Sequence, residues 1–470
     1  MDEAAAMQGS LHICGGEKPT IMGIERGNHG AIMRAVVLAV SLAAIVCSAA
    51  QAGTCQHFSA STMKANSGPA AKWRTDYPTE SPDPNDKQLW ESIDFRTKPS
   101  EYMRAALAGA RDSFRIEDRK LVGTGQEAWW ISQWLDYGTS GREPLMGLTK
   151  ERGPDAGDLS EANGGGYQVW AVGFYNLPGA VVIGEVFSQP CNSSLPVAVK
   201  FPSDTVSVKF LFTDASVDEV TYLKDAPEYD AYVDPIGSGR VGHPASERTV
   251  RPLRLLQVDI SVKDPRSRET GWVFATFVWK GPPQGDKLFD NLVPVALQWG
   301  NDPNVYDTSV QQSWVNTGLR GVTFGWDKRA TMGFMGRANG PADNIRSSCL
   351  SCHAAARTPR ASIGILDNGF DMTQVNDPAR VKAHVDTWFQ NIKGGQLFQP
   401  FEPAASSLDY SLQLEAAIFR MCAACKAGDL AGPTPDACRL TGFYNRPACT
   451  TAVDDGPLKQ ALQIMPPPRQ

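Results

Sequence analysis

The chain has 470 residues, of which 42% are hydrophobic and 20% are charged, and its formal net charge is −6. This is an ordinary globular composition with room for two or three domains, and it excludes collagen-like and largely disordered architectures. No dense run of Lys and Arg indicates a surface that would follow a phosphate backbone, so no nucleic acid is expected among the partners.

The first feature along the chain is an apolar run at residues 35–50, which follows Met33-Arg34 and ends in Ala50-Gln51-Ala52. A charged start, a short apolar segment and a small-residue site predict a secretory signal peptide that is cleaved before Gly53. The run is shorter than the roughly 20 residues that span a bilayer, so no integral membrane segment is expected in the mature chain, although an uncleaved anchor is the alternative. Residues 1–52 are therefore predicted to be an upstream extension and signal peptide, and the protein is expected to be periplasmic or secreted from a bacterial cell.

Residues 53–325 are predicted to form a β-rich, sandwich-like domain with a helical N-terminal part. Alternation of apolar and more polar residues predicts half-buried strands at 206–213 and 256–262. Several strands separated by Gly, Pro and Asp turns are typical of a sandwich. The further β-rich runs are Tyr167–Phe174, Ala180–Phe187 and Trp272–Trp279, and the helical stretches are Asp86–Phe95 and Tyr102–Phe114.

Residues 326–470 are predicted to form a second, mainly α domain, so the fold class is multidomain α+β. Asp377 and Pro378 are a cap and first-turn pair, and apolar residues then recur at helical spacing until Gly394-Gly395. A second helix is expected to begin at Ser406-Ser407-Leu408-Asp409, which has the pattern of a capping box, and to continue to Met421.

The motif that carries chemistry is Cys349-Leu350-Ser351-Cys352-His353. Two thiols one helical turn apart can reach the two vinyl groups of one porphyrin, and the adjacent histidine can bind the iron as the proximal ligand. A redox-active or structural CxxC pair is the alternative. A thioredoxin-type dithiol should follow a strand, whereas this motif follows the coil-forming segment 340–344.

This motif resembles that of the c-type cytochromes. More narrowly, the chain is similar to bacterial exported proteins in which a single CxxCH module follows a β-rich domain, and the segments at 271–274, 299–302 and 340–344 contribute to this resemblance. The resemblance implies a compact cytochrome c-like haem domain over about the last third of the chain, one covalently bound haem c, and electron transfer to an unidentified redox partner protein.

The sixth ligand of the iron departs from the usual pattern of small cytochromes c, which place a methionine well downstream of the motif. No methionine lies between residues 373 and 420. Met372, Met421 and His384 are the candidate distal ligands, and His384 falls on the apolar side of its predicted helix. Met332 and Met335, upstream of the motif, remain open as well.

The remaining cysteines pose a second question. Removal of the leader leaves eight cysteines, an even number that suits an oxidising compartment. Cys422-Ala423-Ala424-Cys425-Lys426 has the thiol spacing of a haem motif with lysine in place of histidine, so a second haem is one interpretation. Because Cys438 and Cys449 follow closely, two disulfide bonds near the C-terminal end are the favoured one.

Three functions remain open from the sequence. The first is an electron-transfer protein rather than a catalyst, in which the polypeptide sets the potential of the iron. The second is a haem-dependent oxidoreductase, peroxidase- or dehydrogenase-like, that binds a substrate on the β-rich domain or on an open haem face. The third is a carbohydrate- or surface-binding module with an accessory haem.

Overall fold

The computed structural model describes most of the chain between residues 74 and 449. The predicted signal peptide and its predicted cleavage site before Gly53, the predicted boundary near residue 325, Met421, Cys425 and Lys426 lie outside the described residues. The described residues are 74, 76–80, 88–123, 129–132, 148–160, 164–187, 199–233, 249–281, 288–319, 333–358, 370–396, 406–416, 418, 422, 432–433, 438 and 448–449.

A large antiparallel sheet dominates the described part of the chain and confirms the prediction of a β-rich region. Its strands follow the order β11-β10-β9-β8-β6-β5-β3, with β4 paired to β5 and β7 paired to β8. The strand bounds are β3 (Trp130–Ser132), β4 (Thr149–Lys150), β5 (Val169–Tyr175), β6 (Val206–Thr213), β7 (Glu228–Val233), β8 (Thr249–Val262), β9 (Val273–Trp279), β10 (Leu292–Gln298) and β11 (Ser313–Val315).

Strand β8 is the longest of these and organises the sheet. Arg254 is paired with Thr213 of β6 and with Glu228 of β7, so β6 and β7 lie along opposite edges of β8. Strand β9 continues along the β7 edge, since Gln257–Val262 pairs with Val273–Val278. Alternate side chains of a strand point to opposite sides. Along 256–262 of β8 apolar and polar residues alternate, so the two faces of the sheet differ in polarity there.

The apolar face of the sheet packs against the main core. Helix α1 (Pro99–Arg111) contributes to this core, with Pro99 in its first turn, where a missing N–H costs little. The helix lies three residues earlier than the predicted stretch 102–114. Of the predicted stretch 86–95 the structure describes residues 88–95, and the helical element there is a 3-10 turn, Leu89–Ser92. The buried residues of α1 recur at helical spacing and are Tyr102, Met103, Ala106, Leu107 and Ala110.

A tight hairpin follows α1. Strands β1 (Phe114–Glu117) and β2 (Lys120–Gly123) pair as an antiparallel ribbon. Asp118 and Arg119 at its tip both have positive φ, at 46° and 59°, which is the geometry of a two-residue turn between twisted strands.

The prediction of a strand at Ala180–Phe187 is wrong, because helix α2 (Leu177–Phe187) occupies this segment. A short apolar run with β-branched residues is compatible with either structure. The helix packs closely on distant side chains: a Cβ at Gly184 would lie 2.8 Å from Cβ of Tyr77, and a Cβ at Gly179 would lie 2.9 Å from Cγ2 of Thr205, so glycine at these two positions permits the approach.

The described C-terminal part contains short elements, and its longest helix is α4. They are α3 (Cys349–His353), β12 (Arg357–Thr358), α4 (Pro378–Trp388), β13 (Ser406–Ser407), β14 (Gly432–Pro433) and β15 (Ala448–Cys449). Helix α4 begins as predicted, since the Asp377 carboxylate accepts from the N–H groups of Ala379 and Arg380.

The second predicted helix begins later than expected. Ser406–Ser407 pairs with β12, Asp409 and Tyr410 both have positive φ, and helical backbone is found from residue 412 to 416. The hydroxyl of Ser411 accepts from Leu414 N–H, so the cap is Ser411 and the capping-box interpretation of 406–409 is wrong. Within the described part of the chain, no helix has the length and apolar character required to cross a membrane.

Candidate functional site

The motif residues form helix α3, one short turn that is capped at its start. Ser348 is the cap: its N–H donates to Ser351 Oγ over 2.8 Å, and its Oγ accepts from Ser351 N–H over 3.2 Å. This reciprocal pair satisfies N–H groups that a helix start otherwise leaves without partners.

The helix has one buried side and one partly exposed side. Leu350 and Ser351 are both fully buried, whereas Cys349, Cys352 and His353 keep partial exposure. Residues three and four apart share one side of a helix, so this placement brings both sulfurs and the imidazole to the same side.

The end of strand β10 holds α3 in place. The Gln298 side chain accepts from Leu350 N–H over 2.9 Å and donates to Ser348 Oγ over 3.1 Å. Cys349 N–H donates to the carbonyl of Ala338 over 3.1 Å. Because Gln298 is fully buried, these contacts fix the motif against the sheet.

Neither sulfur of the motif is in a disulfide bond. Cys349 and Cys352 are free thiols, whereas Cys422 and Cys438 are joined. Burial raises the pKa of Cys349 well above its usual value, and the carboxylates of Asp343 and Asp259 add to this rise. Burial likewise raises the pKa of Cys352 to about 12, so both groups are thiols at neutral pH.

The imidazole of His353 is held by a backbone carbonyl and an aromatic ring. Its Nδ1 lies 2.9 Å from the carbonyl oxygen of Tyr410, and the ring of Phe274 is 4.8 Å away between centroids. A carbonyl only accepts, so Nδ1 carries the proton and Nε2 keeps its lone pair in the neutral ring. Burial lowers the pKa of His353 to about 4, which keeps the ring in that neutral form.

Polar side chains of the sheet lie beside the motif. The sequence did not predict this placement. Gln257 Nε2 donates to Asp259 over 2.8 Å and to Asp343 over 3.1 Å, joining β8 to the segment before the motif. Thr276 Oγ1 donates to the same Asp259 over 2.9 Å. The charge of Lys209, on β6, acts on both Cys352 and His353. For Lys209, Gln257 and Asp259 the sequence signal was their polarity at alternate strand positions, whereas Asp343 lies in the segment 340–344 before the motif.

The described distal-ligand candidates gather around one aromatic cluster that Cys352 also contacts. Met372 and Met335 pack against this cluster, and His384 lies within 4.7 Å of Phe334 between ring centroids. His384 Nε2 lies 2.8 Å from the carbonyl oxygen of Arg346, so this nitrogen is the protonated one. A hydrogen bond of this kind is typical of a histidine that is buried in the protein core. The role of His384 as a ligand of the iron stays a prediction. Met332 lies outside the described residues.

Among the described side chains, no three or more His, Cys, Asp or Glu residues are grouped so that they could hold a metal ion by themselves. Comparison of the chain with models of known protein families, with curated proteins and with solved structures finds no match.

Proposed function

We propose that the protein is an exported c-type cytochrome that carries one haem, bound covalently through Cys349 and Cys352, and transfers electrons to a redox partner protein. The observation that carries this proposal is the open pair of thiols beside a histidine whose Nδ1 is already hydrogen-bonded. In a chain that joins Cys422 to Cys438, the two cysteines of the motif stay unbonded next to His353.

The residues present fit the group. Two thiols on one helical turn match the two thioether bonds of a haem c, and the hydrogen bond at Nδ1 leaves Nε2 of His353 as the metal-binding atom. When bound, the haem supplies reversible one-electron transfer at its iron. The Cys422 sulfur is used by the disulfide, which supports a single haem rather than a second one at Cys422, Cys425 and Lys426.

The chain itself sets the surroundings of the proximal ligand. Phe274 packs against the imidazole of His353, and the Tyr410 carbonyl fixes its orientation. The low pKa of His353 keeps the ring unprotonated, and a neutral imidazole is the form that binds metals. A cytochrome c-like helical domain over 326–470, a sandwich-like arrangement of the β-rich part and a periplasmic location belong to the same proposal.

Mass spectrometry of the denatured chain, after export from a host with haem-ligation machinery, tests the proposal. We expect a mass increase of one haem and sharp low-spin bands in the reduced protein. The double variant C349A/C352A should lose the mass increase, while the matched control C422A/C438A should keep it. A wild-type chain without covalent haem would refute the proposal, and two haems would refute the single site.

A haem-dependent oxidoreductase remains the second candidate, because carboxylates are present beside the motif. Asp259 and Asp343 are bridged by one amide and act on the pKa of Cys349, so ionisable groups lie close to the place where the haem edge would bind. A five-coordinate, high-spin iron in the same optical spectrum would favour this candidate over electron transfer.

A further inference from the structure

A buried ion pair lies directly behind the carbonyl group that contacts His353. Lys263 Nζ, at the end of β8, lies 2.7 and 2.8 Å from the two carboxylate oxygens of Asp409. Asp409 is fully buried and Lys263 nearly so. Burial lowers the pKa of Lys263, while the carboxylate opposes that change and favours the charged ammonium.

Two further donors complete the surroundings of this carboxylate. Trp272 Nε1 donates to Oδ1 over 2.7 Å, and the N–H of Phe201 donates to Oδ2 over 2.7 Å. The backbone also closes tightly on the pair, since a Cβ at Gly394 would lie 1.8 Å from Asp409 Oδ1. Each carboxylate oxygen of Asp409 thus accepts hydrogen bonds from two donors.

The held segment is a strained turn whose next carbonyl reaches the motif. Asp409 and Tyr410 both adopt positive φ, at 48° and 70°, a conformation that costs energy for residues other than glycine. Such a conformation persists where surrounding contacts impose it, and the donors on Asp409 provide those contacts. The Tyr410 hydroxyl adds a hydrogen bond to the carbonyl of Ile392.

We propose that Lys263, Asp409 and Trp272 are positioning residues that hold the Tyr410 carbonyl on Nδ1 of His353 and thereby set the redox potential of the haem iron. This inference rests on the function proposed above. A carbonyl that accepts from Nδ1 makes the imidazole a stronger electron donor, which stabilises the oxidised iron. Loosening the turn weakens that bond, so the midpoint potential rises.

The test is the midpoint potential of the exported full-length protein with Asp409→Asn, after mass spectrometry has confirmed covalent haem. The asparagine amide places a donor where Lys263, Trp272 or Phe201 also donates, so the turn loosens. Loss of such an outer contact typically costs about tenfold or more in metal affinity or activity. We take a tenfold weakening that acts on the oxidised iron alone. A tenfold change in the balance of the two oxidation states is an upward shift of about 59 mV.

Asp264→Asn is the matched control, because Asp264 is a buried carboxylate that is paired with Arg266 and Tyr102 and not with the turn. Its potential should equal that of the wild type even where its unfolding midpoint falls as far as that of D409N. Trp272→Phe removes one donor to Asp409 and should shift the potential in the same direction by less. If D409N does not fold, the midpoint potential of W272F is the test of the proposal.

A wild-type potential in haem-loaded D409N, or in haem-loaded W272F where D409N is not recovered, would overturn the inference and leave the haem assignment intact. An equal shift in D264N would also overturn it, because the effect would then follow from general destabilisation. A wild-type protein without covalent haem would instead refute the proposed function on which the inference rests.

Discussion

Replacement of Gln298 by methionine should separate the motif from its support on the sheet. Methionine has a similar volume, so a cavity contributes little to the change. The lost groups are the oxygen that accepts from Leu350 N–H and the nitrogen that donates to Ser348 Oγ. Because the Gln298 side chain is fully buried, water does not replace them.

The expected cost follows from the group left without a partner. The hydroxyl of Ser348 keeps its bond from Ser351 N–H, whereas Leu350 N–H loses its acceptor inside the core. A buried donor without an acceptor costs about 1–3 kcal/mol, and we take about 2 kcal/mol. With a urea dependence of about 2 kcal/mol per M, the unfolding midpoint should fall by roughly 1 M.

Urea unfolding of the full-length protein, followed by tryptophan fluorescence, measures this shift. Gln311→Met is the control, because Gln311 is exposed and its amide donates only to the nearby carbonyl of Ser309. The control should stay within about 0.5 kcal/mol of the wild type. Equal midpoints for Q298M and the wild type would refute the view that Gln298 anchors α3.

Two further predictions concern the disulfide and a buried carboxylate. The double variant C422A/C438A frees a loop closed over 16 residues, so calorimetry should show a loss of about 3 kcal/mol, and an unchanged melting temperature would contradict the chain-entropy argument. Burial raises the pKa of Asp259 from 3.8 to about 7, so its contribution to stability is full below pH 3.8 and is lost as the pH rises through 7. The unfolding free energy of the wild type relative to Asp259→Asn should therefore decrease from pH 5 to pH 8, and a difference independent of pH would contradict this assignment.

Local sequence rules predicted those elements whose pattern is decided within a few residues. Strand β6 follows the predicted range, and α4 begins at the predicted cap because Asp377 and Pro378 act on the backbone beside them. The helical turn at Cys349–His353 also follows from the spacing of the two cysteines, which was the basis of its prediction. In each case the determining contacts lie close in the chain.

The sequence failed where distant contacts decide the structure. The segment 180–187 is a helix whose Gly184 lies against Tyr77, far earlier in the chain, and no local pattern encodes that approach. The turn at Asp409 resembled a helix start in sequence, but Lys263 and Trp272 hold it in a conformation that a helix excludes. Both partners lie more than 130 residues away along the chain. No pattern of neighbouring residues could therefore predict their effect on this turn.

The polar residues that alternate along the central strands lie beside the motif and contribute to the site. An antiparallel sheet often has one face in the core and one face in water, and polar residues on the second face then need no further explanation. Here Thr276 contacts Asp259, while Phe274 of the same strand packs on the imidazole of His353. The sheet thus supplies direct contacts to the ring, and through Gln298 it supplies direct contacts to the helix. A change in these strands should therefore alter the surroundings of His353 even when Cys349, Cys352 and His353 are intact. If the proposed haem is bound, its midpoint potential is then more informative than haem attachment alone.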